Sequence, residues 1–393
     1  MRNPLKLLGK AIFYIGGTLV GLTLLLYISG NSHVITAVKK SILIGQFGPK
    51  TTDLELFPKR TIAESRAPFE WSSYNYKTEL LPSEEEVHNN LESSSMLVIY
   101  KDSILFEKYW EGNTLLTYTN SFSVAKSIVG TLCAIAASEG KVKFEDPISI
   151  YLPELRNRAL GELTFAQLLS MSAATDWTES GANPFSDNAR AYYGDDLVKL
   201  IESTEVDGKP GQVFNYQSGN TALAGHALSK ALNKTLSEYA AEKLWSKIGG
   251  KYPAYWSLDK EDGLEKAYCC YYAVTRDFAK LGRLWLNNGM WDSTEVVNPS
   301  YFDLLTRPYV KDFGPCPEQC YGISFWLENY GGHDFYYARG ILGQYIIMMP
   351  EQDLIIVRTG GKRMEKNERH HPTDLYAYID QALRLKQEHE ERY

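Results

Sequence analysis

Ser121-Phe122-Ser123-Val124-Ala125-Lys126-Ser127-Ile128-Val129-Gly130-Thr131-Leu132-Cys133-Ala134-Ile135-Ala136-Ala137 is the stretch on which the fold of this chain turns. From Ser127 onward it is apolar on nearly every side, which predicts a helix buried all round, with Gly140 as its C-terminal stop. Ser123 opens that helix, and Lys126, three residues on, shares its face. A serine hydroxyl is a weak nucleophile until a neighbouring base takes its proton. A lysine serves as that base where burial and polar neighbours favour the neutral amine. The helix N-terminus adds the serine's own N–H, and the positive end of the dipole, for a developing oxyanion. The Ser-x-x-Lys spacing recurs at Ser138–Lys141, at a helix end, and at Ser257–Lys260, in a charged loop; only Ser123–Lys126 opens a buried helix.

Upstream, Met96–Tyr100 and Ile104–Trp110 flank Lys101-Asp102-Ser103 and predict a β-hairpin. Downstream, Pro210-Gly211-Gln212-Val213-Phe214-Asn215-Tyr216-Gln217-Ser218-Gly219-Asn220 runs into a helix from Thr221. On a turn fixed by Pro-Gly, Tyr216 and Ser218 can face one cleft, Tyr216 to hydrogen-bond Ser123 and shuttle its proton, Ser218 to hold Lys126. The same segment also reads as an aromatic turn that caps the following helix. Further on, Tyr336–Pro350 and Leu354–Gly360 form two apolar strands about a tight turn, a buried hairpin in which Gly340 and Gly343 permit close approach of a backbone or a substrate.

In this order the three segments resemble the serine β-lactamase and penicillin-recognising family, in its class C and esterase-like branch, over about residues 90–365. Leu168-Leu169-Ser170-Met171-Ser172, Asp146-Pro147 and Tyr151-Leu152-Pro153-Glu154-Leu155 stand where that family has similar wording. Ala338-Arg339-Gly340-Ile341-Leu342-Gly343-Gln344 is similar to the 6-aminohexanoate-dimer (nylon oligomer) hydrolase branch. The resemblance implies Ser123 as acylated nucleophile, Lys126 as general base, Tyr216 as proton shuttle to the leaving group, and an oxyanion hole from the N–H groups of Ser123 and Ile341. One departure bears on substrate. True β-lactamases read Lys-Thr-Gly where this chain has Ala338-Arg339-Gly340, so the cation that would meet a β-lactam carboxylate is missing. Arg339 does not simply replace it, since adjacent strand positions face opposite sides.

The fold expected is α/β (α+β): an antiparallel sheet flanked by helices, interrupted by a mostly helical region at about residues 140–265, with the cleft between the two. Leu375, Tyr378, Ile379, Ala382, Leu383 and Leu385 predict an amphipathic helix over Asp374–Glu388. The function expected is a serine hydrolase acting on a small amide or ester through an acyl-enzyme, without cofactor or metal. Trp177, Tyr192, Tyr193 and Tyr337 are candidates to line the acyl pocket. The alternatives are a D-Ala-D-Ala peptidase or transpeptidase, a β-lactamase, and an inactive ligand-binding or sensor protein on the same fold. Retention of Ser123, Lys126 and Tyr216 together speaks against the last.

Other chemistry finds little footing. His33, His88, His226, His333, His370, His371 and His389 fall in no zinc-protease spacing, and no Gly-x-Ser-x-Gly elbow or phosphate-binding glycine loop exists. His226 reads as a satisfied core residue. With 41 basic and 48 acidic side chains the net charge is −7, and no basic block offers a nucleic-acid footprint. The aromatic content, 27 Tyr and 8 Trp, suits either a ligand site or a packed core.

The first thirty residues stand apart. Arg2, Lys6 and Lys10 precede Ala11–Gly30, which carries no charge, and the next cation is Lys39. This predicts an uncleaved transmembrane signal anchor over residues 1–30, with the catalytic domain outside the cytoplasm, periplasmic or extracellular. Residues 31–90, punctuated by Gly45, Gly48, Pro49, Pro58 and Pro68, read as tether and lead-in to a hydrolase domain at 91–390. Five cysteines cannot all pair. Cys133 reads as a buried hydrophobe, whereas Cys269-Cys270 and the Cys316/Cys320 loop are expected to form disulfides, with the pairing left open.

Overall fold

A computed structural model describes residues 4–74, 78–310 and 320–392. Two sheets carry the architecture. The strands are β1 (Lys59–Ile62), β2 (Ser72–Ser73), β3 (Ser93–Tyr100), β4 (Ser103–Tyr109), β5 (Tyr118–Asn120), β6 (Ala254–Ser257) and β7 (Tyr271–Val274). They continue with β8 (Met290–Trp291), β9 (Thr294–Glu295), β10 (Trp326–Tyr330), β11 (His333–Gly340), β12 (Gln344–Met349) and β13 (Leu354–Gly360). The large sheet has the order β10-β11-β12-β13-β3-β4-β2, antiparallel except for the short β2–β4 pair. The smaller sheet, β1-β6-β7-β5, carries the chain into Ser123 from the end of β5.

The helices are α1 (Pro4–Ile28), α2 (Ser32–Lys40), α3 (Pro82–Asn90), α4 (Val124–Ser138), α5 (Phe165–Leu169) and α6 (Asp187–Tyr193). After them come α7 (Leu197–Glu202), α8 (Ser218–Leu232), α9 (Leu236–Ala240), α10 (Thr275–Leu286), α11 (Pro299–Leu305) and α12 (Asp374–Glu390). The central strands β3, β12 and β13 carry long apolar runs because both faces of the sheet are covered there. On one face Leu97, Ile99, Ile346, Met348, Ile355 and Val357 join a core with α4 and α10. On the other, Met96, Val98, Ile347, Met349, Leu354 and Ile356 meet Leu375, Tyr378, Ile379 and Leu385 of α12. Side chains alternate between the two cores at period two, so a slip of one residue would exchange them. The helix expected at the C-terminus forms, with Leu383 only partly covered.

Two expectations for the N-terminal part are corrected. α1 forms over Pro4–Ile28, with the hydroxyls of Thr18 and Thr23 bonded back to the carbonyls of Tyr14 and Leu19. Among the described residues no helix is long and apolar enough to cross a membrane. The transmembrane anchor, and the single-pass placement outside the cytoplasm that depended on it, therefore do not hold; Arg2 lies outside the described residues.

Residues 31–90, expected as tether and lead-in, are also not a free tether where they are described. β1 pairs with β6, the buried Asp53 carboxylate accepts from Tyr192 at 2.9 Å, and the His33 ring reaches the Pro184 carbonyl at 2.8 Å. The segment shows no steady period because it is built of short pieces, each paired with chain far away in sequence.

Candidate active site

Ser123 sits at the N-terminal edge of α4, delivered there by β5 and a strained step: Phe122, buried, holds φ +46°, with its N–H tied to the Asn120 Oδ1 at 2.9 Å. Left-handed backbone in a bulky residue is uncommon and collects at functional turns. Ser123 remains half-buried and reachable, whereas Lys126 one turn later is 1% exposed.

The amine of Lys126 donates to three acceptors: Ser123 Oγ at 2.9 Å, Ser218 Oγ at 3.1 Å and the Tyr268 carbonyl at 3.0 Å. Three acceptors saturate an ammonium. Ser218 opens α8, so the second sequence segment meets the first. Ser218 also gives its hydroxyl proton to Glu179 Oε1 at 2.8 Å and its N–H to Glu179 Oε2 at 2.7 Å, and Trp177 Nε1 donates to that same Oε2 at 3.0 Å.

Tyr216 stands beside this network with its ring centroid 5.0 Å from the Lys126 amine. Its ring stacks on Trp326 at 5.6 Å and 27°, and its hydroxyl makes no hydrogen bond among the described residues. The third segment closes the site from the other side. Gly340 lies against the first motif so tightly that a Cβ there would come within 2.3 Å of the Ser121 carbonyl oxygen and 3.1 Å of Phe122 Cβ. Ile341 follows directly. Neither its N–H nor that of Ser123 makes a turn or cap hydrogen bond among the described residues.

A family model described as beta-lactamase matches residues 84–373 and so takes in all three segments. The chain belongs to the beta-lactamase family. The 6-aminohexanoate-dimer hydrolase of Paenarthrobacter ureafaciens is 25% identical over 297 residues, covering 71% of this chain and 75% of that one. A Bacillus anthracis protein of the 6-aminohexanoate-dimer hydrolase type superposes with a TM-score of 0.72 at 19% identity, covering 87% and 94% of the two chains. A family VIII carboxylesterase superposes with a TM-score of 0.58 at 18% identity, covering 79% and 99%. This member of the beta-lactamase family is a serine hydrolase.

Within this family member the third motif behaves as strand alternation requires. Ala338 is fully buried in the core with Ile346, so no cation stands in its place. Arg339 turns to the opposite face, its guanidinium 3.6 Å over Trp326 and its Nη1 donating to the His370 carbonyl at 2.6 Å. Burial, with Arg339 and Arg363, pulls the Lys366 amine down to about 8 against the opposing pull of Glu365 and Glu179.

The aromatic candidates separate. Trp177 is at the site, its ring against Gly219 and its indole on Glu179. Tyr192 and Tyr193 are not: both pack on Phe57, with Tyr192 bonded to Asp53. Tyr337 is fully buried beneath the sheet, its hydroxyl 2.7 Å from His371 Nδ1, a ring that burial and Arg339 push down to about 3. His226 is buried with Nε2 3.5 Å from Glu202 Oε1, and with Glu154 these residues bring ligand atoms within 4.8 Å of one another.

Four residues escaped sequence reasoning: Glu179, Tyr268, Trp326 and Arg358. Arg358 is wholly buried and donates to the carbonyls of Leu342 at 3.1 Å and Gly343 at 2.8 Å, which fixes the turn that presents Ile341. Only the isolated Glu179-Ser180-Gly181 after Trp177 offered a visible hint, a carboxylate beside an aromatic in a polar loop.

Proposed function

We propose that this chain hydrolyses an amide or ester through an acyl-enzyme on Ser123. The observation that carries the reading is the 2.9 Å approach of the Lys126 amine to Ser123 Oγ at the mouth of a buried helix. In the neutral amine a lone pair replaces one N–H and faces the serine. Ser123 Oγ then attacks the acyl carbon while its proton passes to Lys126. The carbonyl oxygen becomes an oxyanion between the N–H groups of Ser123 and Ile341, at the positive end of α4. Tyr216, over the lysine, returns the proton to the departing amine or alcohol, and water attacking the acyl group repeats the cycle with the roles reversed. Esters and linear amides are favoured over β-lactams, because Ala338 presents no cation for a β-lactam carboxylate.

Intact mass after exposure to a fluorophosphonate tests this. One adduct is expected on the wild-type chain and none on Ser123→Ala; an adduct of unchanged stoichiometry on Ser123→Ala would remove Ser123 from the reaction.

A further inference from the structure

Cys269 and Cys270 are joined to each other by a disulfide, and the reaction described above makes no use of it. Disulfides stabilise mainly by closing loops in the unfolded chain, and more so the longer the loop. A bond between neighbours closes none. What it can fix is the backbone of its own two residues, and Cys270 holds φ +65°, in the left-handed region that side-chain-bearing residues seldom occupy. The pair is also buried, at 5% and 0% exposure.

Its neighbours in the chain both touch the acylation machinery. The residue before it, Tyr268, holds the amine of Lys126 on its carbonyl at 3.0 Å. The residue after it, Tyr271, accepts the N–H of Ser121 at 2.8 Å, two residues ahead of Ser123. The two cysteine carbonyls are pinned in turn: Trp256 Nε1 donates to Cys269 at 3.0 Å and the Ser257 N–H to Cys270 at 3.0 Å. β7 then pairs with β5, the strand that delivers the nucleophile.

We propose that the Cys269–Cys270 disulfide is a redox-dependent positioning element for Lys126. Oxidised, it locks the 268–271 backbone so that the Tyr268 carbonyl meets the amine. A dithiol reductant converts the S–S bond to two thiols, with two electrons and two protons, and becomes a disulfide itself; a disulfide oxidant reverses the exchange. In the dithiol form only the hydrogen bonds from Trp256 and Ser257 still hold the pair; as Cys270 relaxes from its left-handed conformation the Tyr268 carbonyl shifts, and Lys126 loses one of its three holds. A displacement of about 1 Å in such a group costs about 10²-fold in rate. The inference rests on Lys126 as the base for Ser123.

The test uses the whole chain with a p-nitrophenyl ester and a fluorophosphonate as probes, and thermal melting in parallel. Dithiol treatment of the wild type should lower kcat and the Ser123 labelling rate by about 10²-fold, with KM little changed and the fold intact. Oxidised dithiol should restore both. The Cys269→Ser, Cys270→Ser variant should show the low rate without reductant and no response to it, which also excludes any other disulfide as the cause. A serine variant that is folded and as fast as the wild type overturns the proposal. If that variant does not fold, the wild type decides, with reduction verified by the mass gained on thiol alkylation: a reduced chain that is folded and fast overturns the proposal, and so does a bond that the dithiol cannot open without unfolding the chain. The base assignment fails separately, if Lys126→Ala labels at the wild-type rate.

Discussion

The α-carbon of Gly340 faces the carbonyl of Ser121 across a gap in which a Cβ would lie 2.3 Å from the oxygen. That gap joins the third segment, one residue before Ile341, to the first, two residues before Ser123. The neighbour is backbone, which cannot rotate away as a flexible side chain would. Gly340→Ala must therefore push β11 off the nucleophile turn. Stability should fall by about 1–3 kcal/mol, as for overpacking generally, and labelling of Ser123 by about 10²-fold. A variant that labels normally would show that the strand end is free to move.

Ser218 has one hydroxyl proton, and it goes to Glu179, which leaves the oxygen lone pairs for Lys126. Without the carboxylate the hydroxyl can turn its proton toward the amine and compete for the lone pair that must take the proton of Ser123. Glu179→Ala should lower kcat by about 10–100-fold, the worth of a hydrogen bond to a charged group, with a smaller change in KM. Steady-state kinetics on a p-nitrophenyl ester distinguish this from substrate binding, where KM would carry the loss.

Ser123 and Lys126 were legible because three residues of one helix bring them together, and the turn at Tyr216–Ser218 because Pro-Gly and the following helix limit where it can point. The rest of the site had no comparable signal. The third acceptor on Lys126 is a backbone carbonyl, which every residue possesses. Glu179 and Arg358 act across long sequence separations. Tyr192 and Tyr193 misled because the same bulky rings serve a pocket or a core, and only the lead-in segment at Asp53 and Phe57 decides between them. Both halves of the large sheet were visible as apolar hairpins, but the small sheet was not. Its strands are short, and β1 finds its partner nearly two hundred residues away.

On the proposed reading substrate choice follows from Ala338, whose side chain is buried in the core where the resemblance to β-lactamases would place a lysine. An activated ester should be turned over well, whereas kcat/KM for a penicillin should stay below the ~10⁴ M⁻¹s⁻¹ floor of ordinary enzymes. A penicillin constant above that floor would mean that another cation receives the carboxylate.

His88 is wholly buried, its ring between Ser93 Oγ at 2.9 Å and Gln381 Oε1 at 3.0 Å, and burial pushes it from 6.5 down to about 4. The unfolded chain takes up a proton there as pH falls through 6.5, before the native ring does. Stability from this group is thus full above the unfolded value and lost as pH drops toward the folded one. Between pH 7 and about pH 4.5 it should contribute about 2–3 kcal/mol of loss. Denaturant unfolding at the two pH values should show a smaller loss in His88→Gln, whose side chain does not titrate; an unchanged slope would assign the loss to other groups.

The sharing of work proposed for Ser123, Lys126 and Tyr216 has its own signature. Groups that move one proton in sequence do not contribute independently, because removal of any member idles the others. Lys126→Ala leaves the nucleophile without its base and should slow acylation by several orders of magnitude. Tyr216→Phe keeps the ring on Trp326 and removes only the hydroxyl, so its loss should be about 10²–10⁴-fold, that of one acid–base group. The double variant should then be little slower than Lys126→Ala alone. Melting curves must accompany the rates, since Lys126 is buried and its truncation leaves Ser218 and the Tyr268 carbonyl without their donor. Multiplicative losses in folded variants would make Tyr216 a packing or substrate-binding residue and leave the return of the proton to Lys126 alone.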